Sequence, residues 1–351
     1  MPLGTRVLQV NPIEPEEDAI RRAAAVIRRG GLVAFPTETV YGLGADALNP
    51  EAVARIFAAK ERPPNDPIIV HIADIEDLTL VARDPPEVAH RLAEAFWPGP
   101  LTLVLPRAEA VPPIVTAGLE TVAVRMPSHP VALALIRVSG TPIAAPSANL
   151  FGRPSPTTAL HVLEDLGERV DLILDGGTTP IGVESTVLDL SSEKPTILRP
   201  GGTSREALRA ILGEVEVARK IPLEGEKLKS PGLMRRHYAP RAELLLFLGP
   251  EEATLASMKE ETDRLLREGK RVGLMLAQED VALFEGEPVV IQNLGSKGNL
   301  GRIAHRLFAA MRALDQQGVD VILARGFGSG GLGLAIEDRL IKAAGGKVIR
   351  L

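Results

Sequence analysis

The stretch from Gly31 to Ile72 reads GLVAFPTETVYGLGADALNPEAVARIFAAKERPPNDPIIVHI. It opens on a short apolar strand, Leu32 to Phe35. It then passes through Pro36-Thr37-Glu38-Thr39-Val40-Tyr41-Gly42-Leu43-Gly44, a run of hydroxyls and glycines where a backbone can approach a ligand. Asn49 caps and Pro50 opens a helix that carries Val53, Ile56 and Phe57 on one face and ends near Lys60. A proline-rich turn leads into a second apolar strand, Ile68 to Ile72. Strand, helix, strand is the repeating unit of α/β folds. Upstream, Glu14 to Arg29 places Ile20, Ala23, Ala24 and Ile27 on one helical face, stopped by Gly30-Gly31. Downstream, strands are expected near Leu101 to Leu105, Thr121 to Arg125, Pro142 to Ala145, Leu172 to Leu174, Ser185 to Leu188 and Thr196 to Leu198. Helices are expected near Glu87 to Ala95, Pro130 to Val138, Thr158 to Leu166 and Ser204 to Leu212. Short turns between the late strands imply a mixed sheet.

After Leu212 the periodicity fades into Gly213 to Arg236, with Pro222, Gly225, Pro231 and Gly232, which reads as a linker. It then restarts with strand Leu244 to Leu248, helix Glu251 to Arg267, strands Val272 to Leu276 and Val289 to Ile291, helix Leu300 to Gln316, strand Val319 to Ala324 and helix Leu334 to Ala344. This is a smaller parallel, Rossmann-like unit. The expected division is 1–212 for a catalytic domain, 213–241 for the linker and 242–351 for the second α/β domain.

Composition narrows the function. Lys and Arg number 40 against 45 Asp and Glu, a net charge of −5, so no global positive field holds nucleic acid. The longest aliphatic runs, such as Leu244 to Leu248, fall far short of the ~20 residues of a membrane span. Met1 to Asn11 lacks the charged start and apolar run of a signal peptide, and the expectation is a cytoplasmic protein. There are no cysteines, which excludes disulfides, cysteine nucleophiles and thiolate metal sites.

Several residues stand where chemistry is placed in α/β proteins. Lys60 and Arg62 bring two cations to a helix C-terminus, a position favoured by the helix dipole alone and equally suited to phosphate. Ser147 and Asn149 follow a strand and suit either an ordinary turn or a phosphate oxygen or metal-bound water. Arg125 ends an apolar strand, where an arginine captures a carboxylate or phosphate, or forms a structural ion pair. Arg199, before Pro200-Gly201-Gly202, repeats that setting. His71, inside an apolar strand, reads first as a satisfied core histidine. Gly326-Phe327-Gly328-Ser329-Gly330-Gly331 spells a dinucleotide fingerprint between a strand and a helix, but no acidic residue follows about twenty positions on to hold a ribose.

Taken together, FPTETVYGLG (Phe35 to Gly44), Lys60-x-Arg62 followed by PIIVHI, WPGPLT (Trp97 to Thr102), VRMP (Val124 to Pro127), APSAN (Ala145 to Asn149) and STVLDL (Ser185 to Leu190) resemble the YrdC-like family over about 200 residues. SPG at Ser230 to Gly232, HYAP at His237 to Pro240 and AIEDRLIKAA at Ala335 to Ala344 resemble that family's long two-domain form, the threonylcarbamoyl-AMP synthases. The resemblance implies a nucleotidyltransferase that joins L-threonine, bicarbonate or CO2, and ATP into threonylcarbamoyl-adenylate with release of pyrophosphate, for N6-threonylcarbamoyladenosine in tRNA. It implies Lys60 and Arg62 on the triphosphate, and Thr37, His71, Arg125, Ala145 through its backbone and Ser185 on L-threonine. Pro64, Thr121, Ser147, Asn149, Ser155, Arg199, His237 and Tyr238 complete the ATP side. Mg²⁺ would ride on the ATP phosphates rather than in a protein cage. The resemblance further implies that the SPG to HYAP segment is a flap beside Arg235 and Arg236, and that a downstream tRNA threonylcarbamoyl transferase machinery takes the product, with a weak tRNA contact and no membrane. Two other readings compete. A hydrogenase-maturation carbamoyl transferase would need cysteine zinc fingers absent here. A YrdC-like RNA-binding module without synthase activity fits poorly with the −5 charge and 3% aromatic content.

Overall fold

A computed structural model describes residues 5–218, 232 and 237–351. The chain divides into two compact units, Met1–Phe151 with Ser155–Leu233, and Gly152–Pro154 with Met234–Leu351.

In chain order the first unit comprises β1 (Arg6–Gln9), α1 (Glu17–Arg28), β2 (Val33–Phe35), β3 (Gly42–Asp46), α2 (Pro50–Lys60), β4 (Val70–His71), α3 (Leu78–Val81), α4 (Glu87–Phe96), β5 (Leu101–Pro106), β6 (Thr121–Arg125), α5 (Pro130–Ser139), β7 (Ile143–Ala144), α6 (Ala159–Leu166), β8 (Leu172–Asp175), β9 (Thr186–Asp189), β10 (Thr196–Arg199), α7 (Arg205–Leu212) and β11 (Glu216–Val217). Its strands form one mixed sheet in the order β1-β8-β2-β3-β7-β4-β6-β5-β9-β10-β11. Local chemistry sets the helix ends. Asn49 Oδ1 accepts from the backbone N–H groups of Glu51 and Ala52, and Pro50 supplies the pre-set φ of a first turn. Thr158 and Ser204 cap α6 and α7 in the same way. Leu43, Val70, Leu103 and Val124 lie in a core with Ile56 of α2 and Leu92 of α4. Phe35 and Leu174 join Ile20 and Ile27 of α1 and Leu135 of α5 in a second core.

The second unit comprises β12 (Glu243–Leu248), α8 (Glu251–Arg267), β13 (Val272–Leu276), β14 (Val290–Asn293), α9 (Leu300–Gln316), β15 (Val321–Arg325), α10 (Gly333–Ala344) and β16 (Val348–Arg350). All its strands pair in parallel, in the order β14-β13-β15-β12-β16. Phe247, Met258, Leu274, Phe284 and Leu323 form its core.

The α/β expectation therefore holds, with local corrections. Gly42-Leu43-Gly44, read as a loop, is the start of β3, antiparallel to β2. The apolar run Ile68 to Ile72 is a strand only at Val70 and His71: Ile72 N–H still donates across the β4–β6 ladder to Arg125 O, whereas Ile68 N–H donates to Val115 O outside any strand. β11, inside the stretch read as linker, pairs with β10 at the edge of the first sheet. β1 and β16 carried no readable alternation.

Candidate active site

Five of the implied site residues, His71, Arg125, Ala145, Ser185 and Arg199, lie at or next to strand ends of the first unit. Arg125 closes β6, and its strand neighbours in register are His71 on β4 and Thr102 on β5. Thr102 Oγ1 lies 2.8 Å from Ser185 Oγ. Arg199, at the end of β10, donates to that same Ser185 Oγ (3.1 Å) and to Ser185 O (3.0 Å). Gly201 lets the chain turn here, since a Cβ would stand 2.3 Å from Glu184 O. Ser155 Oγ is 2.5 Å from Glu184 Oε1, and both residues are buried. Ala145, just past β7, donates its N–H to Ile69 O at 2.9 Å. A polar line thus runs along the strand ends from Arg125 through Thr102 and Ser185 to Arg199.

The Pro36–Gly44 run packs against this line. Thr37 Oγ1 donates to Val40 O (2.7 Å) and sits 2.8 Å from Thr39 Oγ1, which closes the turn. Arg125 Nη1 donates to Thr39 Oγ1 (2.9 Å), Nε donates to Gly99 O (3.3 Å), and Nη2 lies 2.5 Å from Glu38 Oε1. Arg125 is therefore in a buried ion pair as well as beside the expected threonine residues. Gly44 is required by packing rather than by a ligand, because a Cβ there would stand 2.7 Å from Phe35 Cε1 and 2.8 Å from Ile143 Cγ2.

The cationic pair lies at the end of α2. Lys60 Nζ donates to Ser147 O and Asn149 O, both at 2.5 Å, and Phe151 N–H returns to Lys60 O. The ammonium, 1% exposed, thus ties the helix to the Ser147–Asn149 loop. Asn149 Nδ2 donates to Leu150 O. Arg62 pairs with Asp66 at 2.9 Å and donates to Asp66 O and Pro67 O. Burial holds the Asp66 carboxyl above its ordinary pKa, while Arg62, Lys60 and Arg199 all pull it down. One buried carboxyl therefore lies within electrostatic reach of Lys60, Arg62 and Arg199, the three cations expected on phosphate.

His71 is fully buried with its ring edge-on to Phe35 at 6.4 Å between centroids. Burial first, and the neighbouring Arg125 second, depress its pKa to about 3, so it is a neutral imidazole at physiological pH.

Two other implied residues of the first unit stand apart from these. Thr121 opens β6, four positions before Arg125 and hence about 13 Å along the strand. Pro64 is exposed in the turn after α2. His237 and Tyr238 belong to the second unit, where Tyr238 is buried against Phe308 (5.4 Å) with Arg339 over its ring (5.2 Å). Ser230, Arg235 and Arg236, on which the flap expectation rests, lie outside the described residues. In the Gly326–Gly331 run, glycine at 326 is explained by packing, since a Cβ would meet Leu248 Cδ2 at 2.7 Å. Among the described residues no group of three or more His, Asp or Glu is arranged to hold a metal ion, and no helix is long and apolar enough to cross a membrane.

Glu38, Thr39, Asp66, Thr102 and Glu184 were not singled out from the sequence. The lone acid in an otherwise uncharged apolar and hydroxyl-rich run was the available signal for Glu38. The others depend on strand register, which sequence spacing does not reveal.

The sheet order and these strand-end residues define a YrdC-like α/β protein joined to a parallel α/β unit. Residues 25–201 match the model of the Sua5, YciO and YrdC family, described as telomere recombination, and residues 203–345 match the threonylcarbamoyl-AMP synthase C-terminal domain. The chain is 48% identical to the threonylcarbamoyl-AMP synthase of Pyrococcus abyssi over 96% of this chain and 97% of that one. It is 48% identical to that of Bacillus subtilis over 96% of each. A crystal structure of P. abyssi Sua5 complexed with L-threonine superposes with a TM-score of 0.93 at 48% identity, covering 99% of this chain and 100% of that one. The chain belongs to the threonylcarbamoyl-AMP synthase family.

Proposed function

We propose that this protein makes threonylcarbamoyl-AMP and pyrophosphate from L-threonine, bicarbonate or CO2, and ATP, and so feeds N6-threonylcarbamoyladenosine formation in tRNA. The reading rests above all on one arrangement: the cations Lys60, Arg62 and Arg199 around Asp66 are joined, from Arg199 through Ser185 and Thr102, to Arg125. Such an arrangement suits a reaction between an amino acid and a triphosphate. The threonine amine adds to CO2, losing a proton, to give a carbamate. A carbamate oxygen then forms a bond to the α-phosphorus of ATP as the bond to the bridging oxygen of pyrophosphate breaks. No protein nucleophile is needed, and catalysis lies in positioning and charge neutralisation.

On this reading Thr37, Arg125, the backbone O of Ala145 and Ser185 hold threonine, with neutral His71 shaping the pocket. Lys60, Arg62, Ser147, Asn149, Ser155 and Arg199 hold the nucleotide, and the family resemblance adds Pro64, Thr121, His237 and Tyr238. ATP enters as its magnesium complex, the metal on the phosphates, since Asp66 is ion-paired with Arg62, Glu38 with Arg125, and Glu184 accepts from Ser155. The test is pyrophosphate release by the purified protein with Mg²⁺ and ATP, omitting L-threonine and bicarbonate in turn. Release that requires both, with an adenylate of the expected mass, is the expected result. Release independent of threonine would overturn the reading. Failure of synthesis alongside steeply salt-dependent RNA binding would favour the RNA-binding module instead.

A further inference from the structure

A guanidinium has five N–H donors, and a substrate carboxylate needs two of them presented together. In Arg125 one donor goes to Gly99 O and one to Thr39 Oγ1, and Nη2 faces Glu38 Oε1. Nη1 thus keeps one N–H, and Nη2, ion-paired with Glu38 at 2.5 Å, is buried without a directed hydrogen-bond partner. Glu38 and Thr39 are consecutive, so a single turn grips both terminal nitrogens, one through a carboxylate and the other through a hydroxyl.

The turn itself is held from two sides. Thr37 Oγ1 fixes Thr39 Oγ1 at 2.8 Å and donates to Val40 O. The Ile181 and Gly182 N–H groups donate to Glu38 O (2.9 Å) and Thr39 O (3.1 Å). Gly99, which receives the Nε bond, is in turn anchored by its own N–H to Met126 O (2.8 Å). Glu38 is 5% exposed and Arg125 3%, so the pair is shielded from water and its geometry is strongly enforced.

We propose that Glu38 and Thr39 form a clamp that positions Arg125 so that its terminal nitrogens, Nη2 buried without a hydrogen-bond partner among them, meet the threonine carboxylate, making Glu38 a positioning residue for substrate selection. The proposal deepens the synthase reading and rests on Arg125 receiving that carboxylate. A bidentate fork tolerates little rotation. A clamp that slackened by one methylene would therefore cost carboxylate recognition without touching the nucleotide.

The test uses the full chain and four variants: Glu38→Asp, Glu38→Gln, Thr39→Val and Arg125→Ala. KM for L-threonine and for ATP is measured, together with inhibition by L-threoninol, which keeps the amine and side chain but lacks the carboxylate. Glu38→Asp retains the charge beside Arg125, and Thr39→Val retains shape, so both guard against simple unfolding; thermal midpoints are read on the same samples. The clamp predicts that both raise KM for L-threonine about tenfold, leave KM for ATP within about twofold, and leave threoninol inhibition unchanged. An unchanged threonine KM in Glu38→Asp and Thr39→Val overturns the clamp. A parallel loss of threonine and threoninol binding also overturns it, since Glu38 then acts on the amine or on the fold. An unchanged threonine KM in Arg125→Ala would instead remove the carboxylate assignment beneath it.

Discussion

Lys60 and His71 carry opposite lessons about buried titratable groups. The Lys60 ammonium donates to two buried carbonyls, Ser147 O and Asn149 O, so Lys60→Met leaves both acceptors unsatisfied as well as removing a charge from the phosphate field. The expected cost is about 2–4 kcal/mol of stability, seen as a lowered denaturant midpoint, with pyrophosphate release reduced at least about 100-fold. Retention of full activity would take Lys60 out of the site and leave it as a helix-to-loop tie. His71 is neutral because it is buried, and its pKa falls from the ordinary 6.5 to about 3. Between those values the unfolded chain binds a proton that the folded chain refuses. Stability therefore falls as pH drops through that window, by up to about 1.4 kcal/mol per unit, and is insensitive to this group above it. His71→Gln removes the titration. Its unfolding midpoint in urea should fall less than that of the wild-type protein between pH 7 and pH 4.5, and equal slopes would mean the imidazole is protonated in the folded state.

β3 shows where reading from sequence stops. Gly42 and Gly44 look like loop residues because glycine is disfavoured in strands, and nothing local reveals that Phe35 on β2 and Ile143 on β7 crowd the position of a Gly44 side chain. Gly44→Ala should destabilise the protein by about 1–3 kcal/mol. Adding Phe35→Leu should recover part of that loss, since the ring that clashes is removed. Additive losses in the double variant would mean that the ring is not the obstacle. By contrast α2 was legible end to end: Asn49, Pro50 and the Val53-Ile56-Phe57 face are local signals, and the helix spans Pro50–Lys60. Between these extremes lies the Ile68–Ile72 run, whose apolar character marked a strand, while its first residue turns its N–H to Val115 O outside any strand and the strand itself is two residues long. The same boundary runs through the site. Arg125 and Arg199 were visible as arginines at strand exits, whereas Glu38 lies 87 positions from Arg125 and Thr102 83 from Ser185, pairings that only the sheet order creates.

Each unit buries apolar cores of its own, and the first holds Thr37, His71, Arg125, Ala145 and Ser185 without exception. A fragment of residues 5–218 keeps the eleven-stranded sheet and the cores packed on it as one contiguous unit, large enough to bury a core sufficient for folding alone. It should therefore unfold in one transition by circular dichroism. Because Arg125 is gripped by Glu38, Thr39 and Gly99, all within that fragment, its guanidinium arrives pre-organised and no ordering cost is added when threonine binds. Calorimetry with L-threonine should thus give the fragment an affinity within about threefold of the full chain, a difference below 1 kcal/mol. A folded fragment that binds threonine more than about tenfold more weakly would place part of the amino-acid site in residues 219–351 and would require the five assigned positions to be revised.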